Sequence, residues 1–141
     1  MKFFEILKKN AGANGKSNEI TIINVDDHTF RTEVVQSDLP VLAYLWAEWC
    51  PSCIRQSKVI DEIAGTVSQK MRIVKINVDQ SRQIVQLYSI RSIPTILLIR
   101  NGLELKRMVG CKSKRAIIKI VKQSLPVINF SATPALEDQL P

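Results

Sequence analysis

The feature that most constrains the fold is a junction. Val41-Leu42-Ala43-Tyr44-Leu45-Trp46-Ala47 is a nearly unbroken apolar run, and Cys50-Pro51-Ser52-Cys53 follows almost at once. A strand with one wet face alternates apolar and polar residues. A continuous run of this length fits a strand buried on both faces of a parallel sheet. Helices must then cover the sheet, which sets the class as α/β. Beyond Pro51, Ile54, Val59, Ile60, Ile63, Ala64 and Val67 recur at helical spacing to about residue 69. Proline is tolerated in a first turn, where its missing N–H had no helical partner. Two sulfurs therefore sit where a central strand ends and a helix begins.

The flanking segments extend this pattern. "EITIIN" (19–24) and "MRIVKINVD" (71–79) read as strands. "DDHTFRTEVVQS" (26–37) opens on Asp caps and spaces Phe30, Val34 and Val35 for a helix, and "SRQIVQLYS" (81–89) predicts a short helix capped by Ser81. "TILLIR" (95–100), Asn101-Gly102 and "LELKRMVG" (103–110) predict a hairpin. "KSKRAIIKIVKQSL" (112–125) predicts an amphipathic helix that Pro126 stops. The order β-α-β-α-β-α-β-β-α implies a central mixed sheet flanked by helices. Residues 1–17 read as a flexible N-terminal extension with a short helical turn at 2–9, residues 18–125 as one domain, and 126–141 as a C-terminal tail.

Composition narrows the classes. The chain has 141 residues, 45% hydrophobic and 23% charged, which suits one globular domain. No apolar run reaches the length of a membrane span, and the N-terminus lacks the apolar stretch of a signal peptide. The expectation is a cytoplasmic monomer that engages no membrane. The net charge is +7, densest at 100–107 and 112–115. It serves plain solubility, acidic protein partners or weak nucleic-acid contact. No nucleic-acid motif accompanies it, so no nucleic acid is expected as a partner.

Three cysteines, Cys50, Cys53 and Cys111, are too few for a disulfide scaffold. Cys50 and Cys53 can hold a metal, close a structural disulfide or carry electrons. For a zinc site the pair supplies two of four ligands. His28 and Cys111 lack the paired spacing that would complete it, and His28 reads as an ordinary polar residue near a helix start. No metal and no cofactor is expected. Placed at a helix N-terminus, an anionic sulfur is stabilised by free N–H groups and the helix dipole. Cys50 should then be the exposed, low-pKa thiol and Cys53, a turn inside, the shielded one. That asymmetry suits disulfide exchange. The competing reading is a passive pair in a core.

"VLAYLWAEWCPSC", "DEIA", "VKINVD", "SIRSIPTILLIRNG" and "VG" together resemble the thioredoxin family, in order and spacing, over roughly residues 19–125. The resemblance implies a thioredoxin fold and dithiol–disulfide oxidoreductase activity. Cys50 matches the nucleophile and Cys53 the resolving thiol. Trp46 and Trp49 match the tryptophans before the motif, Trp46 being open also to simple core packing. Ile93-Pro94-Thr95 matches the loop that holds a cis-proline beside the disulfide, where the Ile93 backbone can pair with a substrate strand. Gly110 matches the small residue closing the groove. Protein disulfides are the implied substrates, with a flavoprotein thioredoxin reductase or another dithiol donor recharging the pair, and cell redox homeostasis as the role.

The chain departs from the family pattern at three places. Pro51-Ser52 replaces the usual Gly-Pro, and the Ser52 hydroxyl can donate to the Cys50 thiolate, favouring a more oxidising couple. Tyr44 replaces the buried aspartate. With an ordinary pKa near about 10 it is a poor base, and Lys75, the usual partner of that aspartate, is expected to be left unpaired. Lys58 replaces the kink proline of the long helix. Cys111, following Gly110, is either a candidate regulatory thiol beside the groove or an inert, semi-buried cysteine. A protein-disulfide reductase is the leading function. A dedicated disulfide oxidant or isomerase, and a non-catalytic binding or chaperone module, are the alternatives.

Overall fold

A computed structural model describes residues 21–67 and 70–125. The expected extension at 1–17, the helical turn at 2–9, the start of the first strand at 19–20, residues 68–69 and the tail at 126–141 lie outside the described residues. Five strands, β1 (Ile22–Val25), β2 (Val41–Trp46), β3 (Arg72–Asn77), β4 (Thr95–Arg100) and β5 (Leu103–Val109), form one sheet in the order β1-β3-β2-β4-β5. β3 pairs parallel with both β1 and β2. β4 runs antiparallel to β2, and β5 antiparallel to β4. The sheet is mixed, as the segment order implied.

The apolar run makes β2 the middle strand, with Val41 through Leu45 fully buried. Because side chains alternate across a strand, β2 feeds two cores. Leu42 and Tyr44 join the cluster under α1 (Pro51–Val67) and α3 (Lys114–Ser124). Val41, Ala43 and Leu45 join the cluster with Phe30, Val34, Ile84 and Tyr88 on the other face. On α1, Ile60, Ile63, Ala64 and Val67 are wholly buried and lock it to the sheet. Each large aliphatic of this kind stabilises the fold by about 1.5–3 kcal/mol. α1 runs unbroken through the exposed Lys58, where the family has its proline.

Two expected elements differ. The helix over 26–37 is a single π-helical turn, Arg31–Val35. Asp26 explains this, since its carboxylate accepts the N–H groups of His28 (2.9 Å) and Thr29 (3.1 Å) and spends residues 26–29 on a turn. One wide turn then suffices to bury Phe30, edge-on to Tyr88, together with Val34. Ser81 does not cap α2 (Arg82–Leu87) with its side chain; its hydroxyl is buried and has no partner among the described residues. The α2 N-terminus is capped instead by Asp27, whose two carboxylate oxygens accept from Gln83 and Ile84, both at 3.0 Å. By contrast Ser113 caps α3 through Ala116 N–H at 3.1 Å. Asn101 and Gly102 both take positive φ and close the β4–β5 hairpin as expected.

Candidate dithiol site

The parallel strands end at one pole of the sheet, and the antiparallel β4 begins there, with Leu45 opposite Thr95. At that pole β2 runs out through Ala47, and Cys50 N–H donates to Ala47 O (3.3 Å). Pro51 then opens α1, and Cys53 N–H turns back to Cys50 O (3.1 Å). The turn brings the two Cα atoms to 5.3 Å, and the sulfurs are joined as a disulfide. The geometry follows from the junction, since a helix entered at Pro51 places residues 50 and 53 one turn apart on one side.

The expected exposure of Cys50 is not found. Cys50 is 4% exposed and Cys53 3%, and both belong to the core under α1. The two cysteines differ in their partners rather than in burial. Ser52 Oγ lies 3.7 Å from Cys50 Sγ. The Tyr44 hydroxyl donates to Cys53 O at 2.6 Å, a buried bond that fixes the first turn of α1 from beneath.

Tyr44 is a bond donor to the backbone and no base. Burial, reinforced by the neighbouring Cys111 and Asp61, pushes its pKa up to about 12. Lys75 is not left unpaired. Its ammonium donates to Ser57 Oγ (2.9 Å) and meets Asp61 Oδ1 at 3.4 Å. The loss of the aspartate is thus compensated from α1, whose Ser57 and Asp61 lie one turn apart. Tyr44, Trp46, Cys53, Ile54, Ser57 and Lys75 line a largely apolar cavity of about 450 Å³ beside the resolving-thiol position. Trp46 is half-buried, and its indole N–H is buried with no partner among the described residues.

Around the disulfide, Trp49 is 66% exposed, and its indole N–H donates to Asp79 Oδ2 at 2.9 Å. The Ile93–Pro94 peptide is cis, and Pro94 O accepts from Gly110 N–H at 2.9 Å. Gly110 has φ +92°, and a Cβ there would touch nothing within 4 Å. Backbone conformation rather than space therefore calls for glycine. Cys111 is a free, exposed thiol rather than a semi-buried one.

Sequence reasoning missed Gln56, Asp79, Ser57 and Asp61. Gln56 is fully buried, and its amide bonds both polar groups of one peptide: Nε2 donates to Lys112 O (3.0 Å) and Oε1 accepts from Lys112 N (2.7 Å). This clamp ties the segment after Gly110 to α1. An amide three residues after Cys53, on the buried stripe of an amphipathic helix, was the available signal. Asp79 was signalled by its place at the end of the strand next to β2. Among the described residues no cluster of His, Cys, Asp and Glu could hold a metal ion, and no helix is long and apolar enough to cross a membrane.

Comparison with known proteins agrees with this geometry. The family model described as Thioredoxin matches residues 21–123. The chain is 40% identical over 102 residues to a protein named Thioredoxin from Rickettsia felis, covering 72% of this chain and 97% of that one. It is 39% identical over 101 residues to Thioredoxin 1 of a Nostoc species, covering 72% and 94%. It is 40% identical over 101 residues to Thioredoxin M-type, chloroplastic, of Chlamydomonas reinhardtii, covering 72% of each.

Proposed function

This chain belongs to the thioredoxin family and is a thiol–disulfide oxidoreductase that reduces protein disulfides, and from that premise we propose how its residues divide the work. Cys50 is the nucleophile and Cys53 the resolving thiol. The observation that carries this is the Cys50–Cys53 disulfide at a helix N-terminus beside the cis Ile93–Pro94 loop. In the reduced protein the Cys50 thiolate attacks one sulfur of a substrate disulfide. A mixed disulfide forms, and the other substrate sulfur leaves as a thiolate and takes up a proton. The Cys53 thiolate then attacks Cys50 Sγ, re-forming the internal disulfide and releasing the second substrate thiol. Two electrons pass to the substrate, and a dithiol donor, of which a flavoprotein reductase is the chemical type, returns two.

The remaining site residues position and tune this exchange. Trp49, held by Asp79, and the Ile93–Pro94 and Gly110 backbones form the groove that receives an extended substrate segment. Pro51 and Ser52 adjust the Cys50 thiolate, Ser52 by its hydroxyl. Tyr44 and Lys75 act on the Cys53 side, the first by holding the Cys53 carbonyl, the second as a cation lining the shared cavity. Cys111 is the exposed thiol available for regulation. The protein works as a cytoplasmic monomer.

Insulin reduction with a dithiol donor tests the reading, with the Cys50→Ser/Cys53→Ser protein as control. Precipitation of the reduced B chain should depend on both thiols. Equal turnover by the control would overturn it. The oxidant reading is favoured by one contact, Ser52 Oγ beside Cys50 Sγ, and a glutathione titration of the couple decides between them.

A further inference from the structure

Charge is divided unevenly between the two parts of the domain. Residues 81–125 carry ten Lys and Arg against a single acid, Glu104, whereas residues 21–80 carry six against eight acids. The later segment supplies α2, β4 and β5, the two strands lying on one side of β2 in the sheet, and α3, which packs with α1. From this we propose that the β4–β5–α3 side of the groove recognises acidic polypeptide, so that the preferred substrates carry Asp or Glu flanking the disulfide. The proposal deepens the reductase reading and rests on it.

Four cations lie close in sequence to the Pro94 and Gly110 loops. Arg91 lies three residues before Pro94 and is exposed. Lys112 is two residues beyond Gly110, and the Gln56 clamp holds its backbone against α1, one turn past Cys53. Lys114 and Arg115 occupy the first turn of α3 and are exposed. None of the four forms an ion pair with an acid among the described residues. The last two also oppose the helix dipole, since the first turn of α3 holds no acid. Cations there destabilise a helix where acids would stabilise it.

Around Trp49 and the cavity the charges are mixed, with Lys58 and Lys75 beside the acids. Glu48 precedes Trp49, Asp79 holds its indole, and Asp61 sits on Lys75. A substrate laid across the groove therefore meets mixed charge beside Trp49 and unpaired cations on the α3 side. Such a field raises the encounter rate for a segment whose acids face α3, and salt screens it.

The test uses the full chain, pre-reduced, in single turnovers followed by tryptophan fluorescence. Three peptides share one intramolecular disulfide and differ in flanks of Glu, Gln or Lys. At low ionic strength the Glu peptide should react about ten-fold faster than the Lys peptide, with the Gln peptide between, and about 0.5 M salt should bring the ratio below about two. Lys114→Glu/Arg115→Glu should reverse the order. These substitutions favour the α3 N-terminus, so the variant is expected to fold at least as well. Equal rates for the three peptides, or a preference that salt or charge reversal leaves unchanged, would overturn the proposal alone. Reduction of none of them would overturn the reductase reading and the proposal with it.

Discussion

β1, β3 and β2 run parallel and end together at Val25, Asn77 and Trp46; β4 and β5 run antiparallel and bring to the same pole the start of one strand and the end of the other. The parallel part delivers a helix N-terminus to that pole, because a strand that ends there must turn back through a helix. It holds the dithiol, Tyr44 beneath it and the Lys75–Ser57–Asp61 cluster. The antiparallel part delivers loops: cis-Pro94, Gly110 and the cationic segment into α3. On the proposed reading, reactivity and recognition come from different pairing modes, joined by the two bonds between Gln56 and Lys112.

The largest effect should separate the thiols of the parallel part. Cys50→Ser should lower insulin reduction by about 10³-fold or more, and Cys53→Ser should accumulate the mixed disulfide, visible by non-reducing electrophoresis and mass. Brief substoichiometric alkylation of the reduced protein should label Cys50 first. Earlier labelling of Cys53 or Cys111 would move the nucleophile and break the comparison at its root.

Next in size is an alkaline effect of Tyr44. Its folded pKa of about 12 lies above the ordinary tyrosine value of 10, so the fold holds this proton more tightly than the open chain does. Below pH 10 both states are protonated and nothing is lost. Between pH 10 and 12 the unfolded chain ionises first, and stability falls as pH rises, by about 3 kcal/mol at most. Urea unfolding at pH 8 and 11.5 reads this, and Tyr44→Phe should show a shallower loss than the native chain. Identical slopes would mean that the hydroxyl is not buried as described.

Gln56 sharpens the comparison by joining its two sides. Gln56→Leu leaves the Lys112 N–H and C=O without their partner and should cost about 2 kcal/mol. Reduction of protein substrates should weaken along with stability as the segment after Gly110 loosens. A variant with native stability and native turnover would show that the two parts need no such bridge.

The smallest effect concerns the dipeptide. Replacing Pro51-Ser52 by Gly-Pro removes the hydroxyl 3.7 Å from Cys50 Sγ. The couple should become more reducing by tens of millivolts, about 30 mV being about 1.4 kcal/mol for two electrons. An unchanged or higher potential in a glutathione titration would reduce the dipeptide to a tolerated variation at a helix start.

Much of this was legible because it is local. The apolar run at 41–47 dictated a doubly buried strand, Pro51 the helix start, and Asn101-Gly102 the hairpin turn. Each depends on a backbone preference or a period that a short segment carries by itself. The dithiol and the Pro94 and Gly110 loops were likewise placed from motif and order. What failed was decided by atoms distant in sequence. Asp27, not Ser81, caps α2, from 56 residues away, because its carboxylate reaches two N–H groups only after β1 and β3 have paired. Lys75 found Ser57 and Asp61 only because α1 packs over β3's neighbour. Cys50 proved as buried as Cys53, a matter of packing that spacing cannot express. The sequence by itself determined most of the elements, though not the π-helical turn at Arg31–Val35, and through the family resemblance it marked the pair of sulfurs as redox-active. The tertiary structure alone decided which buried polar groups satisfy one another, since a hydrogen bond needs its partner within about 3 Å, and only the folded chain brings residues 56 and 112 that close.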